Sequence, residues 1–443
     1  LEIDIDEASL NNSLLHYITN DSSLVLNAQV QNFTFYPASV NLSDNVITLT
    51  DANASGGNID LLYLREKVIP TPPNPSPTTW HIEAQKITLD NINYSMRMLP
   101  HIDTLQVALT HAELHRGMVD TRTRKVFARS LSVNGIDARY IFPTAEVRAN
   151  APKPVPNPYA DPNSPNWTVQ GDSVSLSNAH GIYALAKHEP GKGIDFNYLE
   201  ISNAGFEVTN FFNQGLATTV PIQSLKLTER CGLAITRAQG TFAIDSSLTR
   251  FDGIELHTLL SDAALDGTIS TSLLTDSIKS VGDLKLALNS NIDLNDVRKA
   301  FPAYDFILRD IPAYQPLSAQ IEVAGDAQKV SITKAKADLP HYASATVTGS
   351  INQPFMPKKA DGKIHLDAQL HNINFVKPTV LSTQMQKTVN FPPVRLTADA
   401  SLRGNDLSAK AFARLESGTL LGEADFNTKS SRYDFFLDAE ALP

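Results

Sequence analysis

The chain has 443 residues, 42% of them hydrophobic and 19% charged, so it holds ample apolar side chain to bury and is not a disordered composition. Its formal net charge of -10, with no basic run, argues against nucleic acid or an anionic membrane surface as a partner. A single cysteine, Cys231, excludes an intramolecular disulfide or a Cys-based zinc site within one chain, and reads as a small buried apolar residue.

The opening LEIDIDEASL is neither a signal peptide nor a start with Met; Leu1, Ile3 and Ile5 alternate with Asp4 and Asp6 as in a strand. Similar alternation at Tyr433, Phe435 and Leu437 reads as the far side of the same cut, a piece of a longer chain with any targeting segment outside it. No apolar run approaches the roughly 18 residues of a membrane-spanning helix. Residues 10–18 are expected to form a short helix. Pro-rich stretches at 69–79 (IPTPPNPSPTT) and 151–166 are expected to be extended loops.

The same phrase follows each Pro-rich stretch. WHIEAQKITLDNINY starts at Trp80 and WTVQGDSVSLSNAHG at Trp167, 87 residues later (167 − 80), with Ile82/Val169, Ile87/Val174, Leu89/Leu176 and Asn91/Asn178 in register. A second match lies downstream, HIDTLQVALT with Ile102, Asp103 and Leu105 against GIDFNYLEIS with Ile194, Asp195 and Leu199. Such repetition describes a fold extended by adding β units.

The motifs with chemical content are weak. HAELH, from His111 to His115, lacks the Glu directly after the first His of a zinc-protease helix, and reads as a strand with His111, Glu113 and His115 on its solvated face. GKG at 191–193 is too short for a phosphate loop, and no GxSxG elbow occurs. Alternating Asp residues fit solvent-facing strand positions better than a catalytic carboxylate pair. No catalytic, cofactor-binding or metal-ligating residue is assigned, and no enzyme is expected.

Strict alternation of apolar and polar residues runs through the whole chain, including a strand at 174–176. In KIHLDAQLH, Ile364, Leu366, Ala368 and Leu370 oppose His365, Asp367, Gln369 and His371; PVRLTADASLR places Val394, Leu396, Ala398, Ala400 and Leu402 on one face. Further strands cover 254–258, 284–288, 317–323 and 345–351, with a bulge expected in SITKAKADLP to shift the parity. IDLNDVRKAFP reads as a helix capped at Asp293 or Asn295, with an apolar stripe of Val297, Ala300 and Phe301 and a stop at Pro302. A second helix is expected around KPTVLSTQMQKTV with Pro378 in its first turn. The segments are expected at 1–150, 151–290 and 291–443.

The fold class is therefore all-β with few short helices. So many one-sided strands need a cover for their apolar face: either a second sheet, making a sandwich or barrel with a dry core, or an apolar ligand held in an elongated, curled, antiparallel-rich sheet that forms an open groove. The candidate lining of such a groove is Phe242, Ile244, Ile254, Leu256, Leu284, Leu286, Ile321, Val323, Val347, Ile351, Ile364, Leu366, Leu396 and Leu402. A sugar-binding β repeat is the remaining alternative, with only two tryptophans to offer a stacking platform.

The run GIDFNYLEISNAGFEVTNFFNQG, then LKLTERCGLAITRAQGTF, then LTRFDGIELHTLLSDAALDGTIS, and later LSAQIEVAGDAQKVSITKAKADLPHYASATVTGSI, resembles the periplasmic portion of the TamB family, within the AsmA-like superfamily of Gram-negative bacteria. The likeness runs through most of the chain and is strongest from about Trp167 to Ile351. It implies a β-rich body in the periplasm, anchored in the inner membrane by a segment outside this chain, whose open groove carries phospholipid or another acyl lipid between inner and outer membranes. It also implies, as an alternative, an assembly factor for outer-membrane and autotransporter proteins working with an outer-membrane barrel protein of the Omp85 type. It supplies no catalytic residue and no cofactor.

Overall fold

The computed structural model describes residues 2–3, 6–64, 67–70, 79–99, 103–151, 165–275, 282–305, 311, 315–354, 356, 358–372, 374–377, 381–382, 384–430 and 432–440. The chain is all-β: strand takes 71% and helix 7%, and the strands belong to one mixed sheet that is not closed into a barrel. Among the described residues so little helix cannot lay a second layer over either face. Compactness divides the chain into Leu1–Arg237 and Ala238–Pro443, whereas the boundaries expected at 150 and 290 followed a Pro-rich stretch and the approach to a helix.

The first unit contains β1 (Glu2–Ile3), β2 (Ala8–Ile18), β3 (Leu24–Asn41), β4 (Val46–Leu64), β5 (His81–Leu99), β6 (Asp103–Asp120) and β7 (Lys125–Phe142). A one-turn helix α1 (Ala145–Asn150), capped by the Thr144 hydroxyl, precedes β8 (Thr168–Leu185), β9 (Tyr198–Gln214) and β10 (Ala217–Glu229). From β3 to β10, neighbours in sequence pair antiparallel except at two joints, β4–β5 and β7–β8, which are parallel. Those joints are where the two Pro-rich stretches fall; residues 71–78 and 152–164 of them lie outside the described residues.

Both joints are pinned by the turn before the neighbouring strand. His81 N–H donates to the Asn45 carbonyl and Trp80 N–H to the Thr121 hydroxyl, while Thr168 N–H donates to the Arg124 carbonyl and Arg124 reaches the Pro165 carbonyl. A parallel return from Leu64 to His81 must span the length of β4, about 60 Å if straight, with a linker that reaches about 60 Å at most. Bent strands relieve that limit.

Two rows of irregularities supply the bend. One crosses β3 to β8 through Gln31, Gly56, Asn91, Thr110, Gly135 and Asn178, each skipped by the pairing; Gly56, Asn91, Gly135 and Asn178 have φ of 64°, 52°, 75° and 54°. The other passes through Gln85, Arg116, Arg129, Asp172 and Asn210. A residue that drops out of the ladder shifts strand parity by one and bends the strand. Each strand that both rows cross is thereby cut into three straight pieces.

Residues 10–18 belong to β2 and not to a helix. Leu10 pairs with Phe33, Ser13 with Val30 and Leu15 with Ala28. Asn12, at φ 47°, is a bulge that shifts the parity, so the apolar spacing imitates a helical period.

Across the division runs β11 (Ala234–Ile244). The second unit then holds β12 (Leu248–Thr258), β13 (Asp262–Ser270), α2 (Thr271–Thr275), β14 (Asp283–Asp293), α3 (Leu294–Ala300), β15 (Pro316–Asp326), β16 (Lys329–Leu339) and β17 (Ala343–Asn352). It continues with β18 (Asp361–Leu370), β19 (Val394–Arg403), β20 (Asp406–Arg414), β21 (Thr419–Asn427) and β22 (Arg432–Glu440). From β12 to β22 the strands form an antiparallel meander, each pairing with the next in sequence.

The expected helix after β14 forms with Asp293 as its cap, accepting from Asn295 N–H at 2.8 Å. Its buried residues are Leu294, Asp296 and Ala300; Phe301 is the 44% exposed C-cap and not part of a packed stripe. Asp296 turns inward because its carboxylate accepts from the Thr258 and Ser261 hydroxyls at 2.6 and 2.8 Å, tying the β12–β13 turn to α3. The bulge expected in SITKAKADLP is present between Ile332 and Ala335. Near Pro378 the described residues form short 3-10 turns at Asn374–Val376 and Met385–Lys387, and residues 378–380 lie outside them. Cys231 is half-buried beside β10, and burial pushes its thiol up.

Candidate binding site

The bulge rows decide where the apolar face is concave. Along β5 the inward residues are Ile82 and Ala84, then Ile87 and Leu89, then Ile92, Tyr94, Met96 and Met98, the parity changing at each bulge. The same two-and-three spacing recurs in β7 as Val126, Ala128, Leu131, Val133, Ile136 and Ala138. Without the bulges Ile87 and Leu89 of β5, and Leu131 and Val133 of β7, would point to the polar face.

Around the Gln85–Asp172 row the bend encloses an open hollow of about 490 Å³ bordered by β5 to β10. Five strand spacings of ~4.8 Å make it about 24 Å across. Its floor is the register row Ala84–Gly117–Ala128–Gly171, one wall Ile82–Val119–Val126–Val169, and the other Ile87–Leu114–Leu131–Val174. Phe206, Val208 and Phe211 close the β9 side. Among the described residues no Lys, Arg, His, Asp or Glu lines it. Such a surface offers dispersion contact and desolvation, with nothing to orient a charge.

The fourteen candidate residues of the sequence lie elsewhere, in β11 to β19 of the second unit. The register brings them to one face: Ile254, Ile321, Val347 and Leu366 share a row, Leu286, Val323 and Ile364 the next, and Leu284, Ile351 and Leu402 a third. Leu256 and Leu396 fall on a fourth row, and Phe242 and Ile244 join through the Phe242–Phe251 ring contact at 5.7 Å. None of them lines the hollow, which strict alternation could not find because its strands change parity. The 2-3-2-3 spacing of apolar residues and the matched Asn91 and Asn178 are the signals that mark it.

The opposite face carries histidine–carboxylate pairs. His111 sits 2.7 Å from Asp90, Glu113 contacts His115 and lies 3.5 Å from Lys86, and His257 pairs with Asp262 and His365 with Asp399 at 2.5 and 2.8 Å. HAELH is thus a polar strand face, and among the described residues no group of three or more ligands could hold a metal. Partial desolvation pushes the Glu113 carboxyl up, and hydrogen bonding to His115 with the charge of Lys86 outweighs it, leaving it below the usual range. The glutamate Glu83 raises His81, against desolvation and with help from Asp120.

The two matched aspartates do different work. Asp103 accepts from the Tyr140 hydroxyl at 3.1 Å, whereas Asp195 organises the β8–β9 loop, accepting from Gly191 N–H, His188 and Asn197 N–H at 2.8, 2.7 and 2.9 Å. The Gly191 amide, then His188, hold the Asp195 carboxyl down at about 2. Among the described residues no helix is long and apolar enough to cross a membrane. No family model, curated protein or solved structure matches this chain.

Proposed function

We propose that this chain binds acyl lipid on its apolar β face and passes it along that face, as part of a periplasmic conduit for phospholipid between the inner and outer membranes. The observation that carries the reading is an open hollow that, among the described residues, has no charged side chain in its lining and no helical layer over its sheet. Each buried methylene is worth about 0.8 kcal/mol, so a chain binds firmly while register rows repeated from strand to strand offer it near-equivalent positions. A passive face of this kind moves lipid only down a gradient.

The test is purification from a bacterial host without detergent, native mass spectrometry, and extraction of bound material. Co-purified phospholipid that is lost in Val174→Asp supports the reading at the hollow; loss in Ile244→Asp and Leu256→Asp instead moves it to the second unit. A folded, lipid-free protein that also refuses added lipid ends it.

A further inference from the structure

The hollow has a cross-section as well as a chemistry, and a role for that cross-section rests on the acyl-binding reading. Its floor residues, Ala84, Gly117, Ala128 and Gly171, carry at most one methyl, and that smallness lets Leu114 and Val174 of one wall lean over Gly117 and Gly171, which narrows the hollow. The walls lean inward. A methyl at Gly117 would stand 2.4 Å from Leu114 Cδ2, and one at Gly171 would stand 3.1 Å from Val174 Cγ2. The same register row is stopped by Leu49 before Ala84 and by Phe211 after Gly171. Between Ala84 and Gly171 lie three strand spacings, about 14 Å.

A polypeptide segment would leave its backbone N–H and C=O groups unpaired against apolar walls, at a cost hydrocarbon does not meet. We propose that the hollow is a slot for one unbranched hydrocarbon chain lying across the strands. Ala128 on the floor, with Leu114 and Val174 leaning in beside it, sets its width, excluding methyl-branched chains and fused-ring sterols. These three are specificity-determining residues; the head group is left outside the slot and unread.

The experiment is displacement of cis-parinaric acid, a straight-chain fluorescent fatty acid, from the purified full chain. Palmitic acid is expected to displace it, while phytanic acid, which is methyl-branched, and cholesterol do so more weakly by about tenfold or more. Ala128→Leu, which fills the floor, is expected to weaken the probe by a similar factor, whereas Ser130→Leu on the opposite face of β7 leaves it unchanged. Equal displacement by palmitic and phytanic acids in the unaltered chain, which depends on no variant folding, overturns the slot and leaves acyl binding standing. An unchanged probe affinity in folded Ala128→Leu does the same. Failure of the folded chain to bind the probe overturns both.

Discussion

The two units keep one face apolar by different means. In the second unit the strands run 9 to 11 residues, keep a largely strict alternation, and carry their apolar rows from strand to strand through an antiparallel meander. In the first, β3 to β9 run 17 to 19 residues and stay one-sided only because bulges change the parity in step across neighbouring strands. Short strands hold a face by pattern, long ones by correction. The correction also bends the sheet, which is why the hollow lies in the first unit.

The largest expected effect tests the second unit. Gly267, at φ 149°, faces a neighbouring strand so closely that a Cβ would stand 2.1 Å from the Lys285 carbonyl oxygen. Gly267→Val is expected to cost about 3 kcal/mol or more through clash and backbone strain. Hydrogen exchange should show protection lost in the second unit and kept in the first; loss in both would mean that the units fold as one.

Next comes the bulge row of the first unit. Asn91→Val, forcing a β-branched residue to φ 52°, is expected to cost about 1–3 kcal/mol, and Asn91→Gly to stay within about 0.5 kcal/mol. Equal midpoints for the two variants in denaturant titration would mean that the positive φ at this bulge carries no stability. A comparable cost, about 1–3 kcal/mol, is expected for Thr258→Val, which withdraws a hydroxyl from the buried Asp296 carboxylate. Thermal unfolding of that variant should affect the second unit alone.

The smallest effects are in pH. Asp195 titrates at about 2 in the fold against an ordinary value near ~3.9. Its contribution is therefore present above the ordinary value and lost as pH falls toward the folded one. His81 is raised, so its contribution is complete below about 6.5 and lost as pH climbs through its folded value. Amide protection of Gly191 and Asn197, measured against β-strand amides of the same unit, should fall as the pH drops from about 4 to about 2. Protection unchanged across that window would show that Asp195 does not hold the loop.

Much of this was legible in the residues. The strands of KIHLDAQLH and PVRLTADASLR, the Asp293 cap and the SITKAKADLP bulge follow from alternation, capping and turn chemistry. The repeated Trp80 and Trp167 phrases mark the first strands of two equivalent blocks. What escaped was the parity change: Leu10, Leu14 and Ile18 imitated a helix, and Ile82, Ile87 and Ile92 broke the alternation that a groove was expected to follow. A bulge is set by pairing with a neighbouring strand, so a window along one strand sees only its side effect.

The parallel joints have a further consequence. A block of three antiparallel strands ends pointing as it began, and an ordinary hairpin into the next block would set that block upside down. By starting β8 in the direction of β7, the joint at Thr168 makes the second block a pure translation of the first, so Ala84 and Gly171, or Asn91 and Asn178, fall on one line. The fold can thus be lengthened like an extruded profile: inserting another block adds about three strand spacings, ~14 Å, to the trough while its cross-section stays the same.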